Sequence, residues 1–258
     1  MKKIIYFFLA LFFLLSVPLL YIASHPADGV LILEYHQITD HPRPGADLYT
    51  ISTKEFSDQL DYLQSEGYET ITMHDYAKAM KGMKELPAKC VVLTFDDGYD
   101  NVYTEAIPRL KERGMTGVVY VVANYANKEK YMTWKEIADL DASGIEIGSH
   151  TANHLPLTDL SAEAQLDEIR LSKLLIEWNA LKHSIHSFSY PNGKYTPELF
   201  DMLREEDYYT AVTGDAGKNT LDMNPYTLKR VVISPSPFGL FTFRLRLLRA
   251  DVFTYLGI

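Results

Sequence analysis

Short apolar runs rich in Val, Ile and Tyr recur along most of the chain, separated by amphipathic segments of helical length. Sustained for about eight units, this alternation restricts the fold more than any other feature, because strands separated by helices pair in parallel through right-handed crossovers. It predicts an α/β fold, a distorted (β/α) barrel of about seven or eight strands, which suits 258 residues better than an open sheet. The predicted strands cover residues 30–35, 68–72, 91–95, 117–122, 145–149, 187–190, 208–212 and 229–233. A Ser52/Glu55 capping box starts one predicted helix and Gly67 stops it. In the long helix beginning near Ser161, Leu171, Leu174, Leu175 and Trp178 are expected to form one buried face. Residues 214–225 read as a surface loop, and the Phe- and Leu-rich tail over 237–258 as a terminal helix closing the barrel, with a membrane-surface position as the alternative.

Composition narrows the partners. A formal net charge of −9 argues against nucleic acid and anionic polymers. Cys90 is the single cysteine, so no intrachain disulfide forms, and its apolar neighbours make it a small buried hydrophobe. At the N-terminus, Lys2 and Lys3 precede an uncharged apolar run over 4–23, long enough to cross a bilayer with the lysines on the cytoplasmic side. No good small-x-small cleavage site follows. Residues 1–24 are therefore expected to be an uncleaved signal-anchor holding residues 25–258, one domain and expected to be a monomer, outside the cytoplasm; a secreted form cut from its signal peptide is the alternative.

Two constellations carry chemistry. Val91-Val92-Leu93-Thr94-Phe95 runs straight into Asp96-Asp97-Gly98, a buried strand ending at paired carboxylates. Ligands bind at the carboxyl ends of such strands, and adjacent acids there call for a positive partner, usually a metal. A plain Asp-Asp-Gly turn would give the same letters. The second is His150-Thr151-Ala152-Asn153-His154, whose two histidines at i and i+4 would share one face of a helical turn at another strand end. Two imidazoles, one carboxylate and open positions make the ligand set of a catalytic zinc.

Together these motifs resemble the polysaccharide deacetylases, the NodB-homology family of carbohydrate esterases (family four), over most of residues 30–233. The resemblance implies a distorted barrel that removes acetyl groups from N-acetylated sugar polymers with a divalent metal, zinc first, cobalt or nickel otherwise. It implies Asp97, His150 and His154 as metal ligands and Asp96 as general base. Ser189-Tyr190-Pro191-Asn192-Gly193 stands where the family has an arginine-containing motif: Ser189 replaces the arginine, and the Asn192 main-chain amide would face the oxyanion. No histidine follows His186 to supply the late acid of most members. However, Leu33-Glu34-Tyr35-His36-Gln37-Ile38 resembles the permuted subgroup that includes the poly-N-acetylglucosamine deacetylases, which implies His36 as general acid. In the same subgroup a late arginine, here Arg230, would orient Asp96. Tyr99, Tyr190 and Trp134 are further groove residues, with core packing the simpler role for Trp134. His25, His41, His74, His183 and His186 read as structural or surface residues.

Two other readings compete. The same three ligands would suit a non-haem iron oxygenase, although the β-α alternation and the extra Asp96 speak against it. A non-catalytic glycan-binding module would take the missing motif arginine as decay.

Overall fold

The computed structural model describes residues 18, 20–42, 45 and 47–257. The apolar run over 4–23 therefore lies mostly outside the described residues, and among these no helix is long and apolar enough to cross a membrane.

The chain forms β1 (Leu31–Tyr35), a small parallel pair β2 (Gln37–Ile38) and β3 (Thr50–Ile51), α1 (Thr53–Ser65), β4 (Glu69–Thr70), α2 (Met73–Met80) and β5 (Cys90–Phe95). A widened π turn over Val102–Ala106 then leads into α3 (Ile107–Lys111), just before Pro108, which has no N–H for a regular helical bond. β6 (Val118–Val121), α4 (Trp134–Ala142), β7 (Glu146–Ser149), α5 (Ala162–Asn179), β8 (Ser187–Ser189), α6 (Glu198–Glu205), β9 (Thr210–Val212), β10 (Val231–Val232) and α7 (Leu240–Leu256) complete the order.

Seven parallel strands run β10-β1-β5-β6-β7-β8-β9. A single bridge, Val212 to Leu228, brings the chain from β9 back toward β10. β4 pairs with the lower half of β5 at Cys90 and Val91, while β6 pairs with its upper half at Thr94 and Phe95. A strand wedged at one end and a one-residue seam make the barrel distorted. Strand alternation sorts the side chains. Leu31, Leu33, Tyr35, Val91, Leu93 and Phe95 pack into the large core shared with the helices, and Ile32, Val92, Val118, Tyr120 and Val212 form the smaller inner cluster. The same alternation sends Glu34, Thr94 and Asp96 inward, nearer the strand ends.

Gly148 of β7 is part of this inner packing. A Cβ built there would lie 2.6 Å from the Tyr120 ring and 2.7 Å from Ser187 Oγ. Gly148→Ala is expected to destabilise the fold by about 1–3 kcal/mol, the usual range for overpacking. Urea unfolding of the variant measures it, and an unchanged midpoint would contradict the packing described.

Several expectations need correction. α5 turns most of its predicted apolar face outward: Leu174 is 61% and Trp178 85% exposed, Leu175 still packs against the core, and Gln165, Glu168, Ile169, Ser172 and Ile176 are the buried residues. The cause is polar. Glu168 accepts from Asn153 N at 2.8 Å and Asn153 Nδ2 at 2.6 Å, and Ser172 bonds Ser149 at 2.6 Å, so the histidine loop fixes the helix rotation. The 214–225 segment is not simply a surface loop, because Asn219 pairs with Val30 and Lys218 forms a 2.6 Å ion pair with Asp251 of α7. At α1, Ser52 Oγ caps the Glu55 amide, while the Glu55 carboxylate turns to Gln59 instead of completing the box. The tail is a terminal helix, buried through Phe243, Leu247 and Ala250.

Candidate active site

The strand ends deliver their groups to one cavity of about 540 Å³, lined by Glu34, His36, Asp96, Asp97, His150, His154 and Arg230 among others. Asp96 ends β5 pointing inward. Its neighbour would ordinarily point away, but Asp97 has φ 73° and Gly98 φ 79°, and this left-handed turn swings the second carboxylate over the same mouth.

Asp97 Oδ1 lies 3.6 Å from His150 Nε2 and 3.4 Å from His154 Nε2. Ligand atoms of all three lie within 4.8 Å of one another, as ligands of a single ion must. The two histidines do not share a helical turn as expected. They sit on a loop with Thr151 at φ 66° and His154 at φ 60°, held by His154 N donating to Thr151 Oγ1 and by the Glu168 bonds. His150 Nδ1 meets the Ser189 carbonyl at 2.8 Å, so that nitrogen is the donor and Nε2 keeps its lone pair. Burial lowers the pKa of His150 to about 3 and also lowers that of His154, leaving both rings neutral. Burial likewise pushes the Asp97 carboxyl up to about 6. Two neutral imidazoles and a buried carboxylate converging without a cation of their own fit a divalent metal.

Behind them lies a charge cluster. Arg230, 1% exposed, grips Asp96 with both nitrogens: Nη1 to Oδ1 at 2.8 Å and Nη2 to Oδ2 at 2.9 Å. Ser189 Oγ donates to Asp96 Oδ2 at 3.0 Å and accepts from Arg230 Nη2 at 3.2 Å. Burial on its own would raise the Asp96 pKa, but the Arg230 guanidinium outweighs it and holds the carboxyl well below the usual carboxylate range. Around Ser189, the position that the family resemblance matches to the motif arginine, the guanidinium present is that of Arg230, from just before β10.

Glu34 is the member that sequence reasoning passed over. Its Oε2 lies 3.1 Å from Arg230 Nη2 and its Oε1 3.8 Å from His36 Nε2, and burial pushes its pKa up to about 7. The available signal was an acid at an inward position of an otherwise apolar strand. His36 lines the cavity beside Tyr49, and its Nδ1 is buried with no hydrogen-bond partner among the described residues. Asn192, at φ 57°, and Gly193 form part of the wall.

The aromatic expectations divide. Tyr99 is partly buried beside Asp97 and stacked on Tyr131. Tyr190 is among the residues lining the cavity, but its side chain is fully buried, stacked on Tyr195 with its hydroxyl on the Tyr226 carbonyl at 3.1 Å, so it forms wall and not an open stacking face. Trp134 packs against the core outside the cavity.

Comparison with known proteins agrees with this geometry. The family profile described as polysaccharide deacetylase matches residues 83–211, a span that leaves out both His36 and Arg230. YxkH of Bacillus subtilis (strain 168), named for the polysaccharide deacetylases, is 31% identical over 208 residues, covering 81% of this chain and 72% of its own. The poly-beta-1,6-N-acetyl-D-glucosamine N-deacetylase of Escherichia coli (strain K12) is 24% identical over 82% of this chain, which spans only 38% of that enzyme. The Streptococcus pyogenes deacetylase PplD, solved in complex with acetate, superposes with a TM-score of 0.76 at 25% identity, covering 84% of this chain and 98% of PplD. With the profile match, the YxkH similarity and the shared barrel, the chain belongs to the polysaccharide deacetylases, hydrolases that act on amide bonds.

Proposed function

We propose that the chain removes N-acetyl groups from an extracytoplasmic glycan of the poly-N-acetylglucosamine type. The observation that carries this reading is the convergence of Asp97, His150 and His154 at one mouth with an arginine-held Asp96 beside them. When bound there, a divalent ion, zinc first and cobalt or nickel otherwise, supplies Lewis acidity and brings the pKa of water down to about 7. Asp96, ionised by Arg230, takes up the proton of the attacking water. Asn192 offers its main-chain amide to the oxyanion, while the Gly193 amide is spent on the Tyr190 carbonyl at 2.8 Å. His36 protonates the leaving amine. Burial lowers its pKa, with the charges of Asp96 and Asp97 opposing, so the resting ring is neutral and donates only after taking up a proton during the reaction, such as the one Asp96 draws from the attacking water. The glycan assignment rests on the named activity of the E. coli relative. The location rests on the lysine-flanked apolar run over 4–23, read as a signal-anchor.

Acetate release from poly-N-acetylglucosamine, peptidoglycan and chitin oligomers tests the whole reading. Release is expected to be fastest on the first, to fall by at least about a hundredfold after chelation, and to return with zinc or cobalt. Release unaffected by a chelator that strips the protein of metal would refute it. His36→Gln is expected to slow glycan turnover by about 10²–10⁴-fold while sparing an activated aryl acetate, whose leaving group needs no proton. Equal losses on both substrates would remove His36 from the acid role.

A further inference from the structure

The outer side of α7 carries apolar side chains that nothing among the described residues covers. Phe241 is 62% and Leu245 47% exposed, and Phe238, just before the helix, is 71% exposed. The inner side of the same helix is already buried through Phe243, Leu247 and Ala250, so α7 is apolar on both sides. Its charges are one-sided. Asp251, the single acid of the helix, is buried in its ion pair with Lys218, and Arg246 turns in to Ser234. That leaves Arg244 and Arg249 outward, each over an aromatic ring, on a protein whose formal net charge is −9. The end of the N-terminal apolar run reaches the same side: Ala23 and Pro26 share a cleft with Phe241, Arg244 and Leu245, and Tyr255 Oη donates to the His25 carbonyl at 2.8 Å.

We infer that this face of α7 lies in the headgroup layer of an anionic membrane, with Phe238, Phe241 and Leu245 entering the acyl boundary and Arg244 and Arg249 meeting lipid phosphates. Apolar area with flanking arginines is the pattern of an interfacial helix, and long arginine stems let the charge reach the headgroups while the stem stays in apolar surroundings. Such a contact would fix how the barrel is held over the bilayer, which a lone anchor leaves free to swivel. The inference rests on the reading of residues 4–23 as a membrane anchor.

The test uses the full chain in vesicles of mixed phosphatidylglycerol and phosphatidylcholine, with Cys90→Ala and a polarity-sensitive fluorophore on Phe241→Cys or Leu245→Cys. Leu174→Cys, an apolar position on α5 that is 61% exposed, is the control. Emission from 241 and 245 is expected to shift to the blue and to be quenched by headgroup-level nitroxide lipids at least about twofold more than emission from 174. Arg244→Glu with Arg249→Glu is expected to abolish the difference. Probes as wet as the control, on a chain that survives an alkaline wash in the membrane, would overturn the interfacial contact and leave the anchor standing. Lipid quenching on a chain that the wash removes would refute the anchor and keep the contact. Probes shielded but not quenched by lipid would mean that protein covers the face, and would overturn the lipid assignment.

Discussion

Asp96→Asn is expected to reduce acetate release by about 10²–10⁴-fold, the usual worth of a positioned general base, with bound metal unchanged. Asparagine keeps the shape of the side chain and one oxygen for Arg230, so the barrel should hold together and the loss should fall on the chemical step. Arg230 also limits what Asp96 can do. A carboxylate that accepts two guanidinium bonds and the Ser189 hydroxyl is a weak base, because each bond favours its charged form. Such a group acts best as a fixed anion that draws the proton off water for the length of the attack and passes it on. Glu34, poised at about 7 on the other side of Arg230, is a carboxyl outside the proposed ligand set whose basicity suits a neutral site. The decisive comparison is therefore Asp96→Asn beside Glu34→Gln, both measured as kcat on the same glycan. A severe loss at Asp96 with a milder one at Glu34 supports Asp96 as the base; the reverse order would move that role to Glu34.

How much of this could be read from the letters depends on which interactions are local. The β-α alternation fixed a parallel barrel, and the two motifs at strand ends located the mouth, because strand period and strand-end placement are properties of short segments. The rotation of α5 was not legible. Leu171, Leu174, Leu175 and Trp178 have the spacing of a buried stripe, yet bonds from Glu168 to Asn153 and from Ser172 to Ser149 decide which side faces the sheet. Those partners are distant in sequence and polar, so periodicity cannot rank them. Tyr190 lines the cavity as expected, yet nothing local says that its hydroxyl would find the Tyr226 carbonyl and bury the ring. His150 and His154 converge as expected but by another route, since positive φ at Thr151 and His154 replaces the helical turn that their spacing suggested. Glu34 was visible as an acid in an apolar strand, but its partner Arg230 comes from the far end of the chain, just before β10, which pairs with β1.

Arg230→Met is expected to cost about 3–5 kcal/mol of stability, the penalty for leaving buried charge without its partner. At 1% exposure the side chain gains nothing from water, and it is the cation shared by two inward carboxylates, with Asp96 at 2.8 Å and Glu34 at 3.1 Å. Methionine fills much of the volume, so the loss reports charge more than cavity. Glycan turnover should fall as well, since Asp96 would lose both its orientation and the field that keeps it ionised. Arg230→Lys separates these effects: it restores a positive charge but not the two-pronged grip, and is expected to recover stability in part and turnover little. The sharper test places the guanidinium back on β8. Ser189 Oγ already lies 3.0 Å from Asp96, and the family resemblance matches Ser189 to the motif arginine. Ser189→Arg added to Arg230→Met is therefore expected to regain turnover over the single variant, followed by acetate release and by urea unfolding in parallel. Arg230→Met that unfolds at the wild-type midpoint and keeps full turnover would show that the buried pair neither holds the barrel together nor readies Asp96.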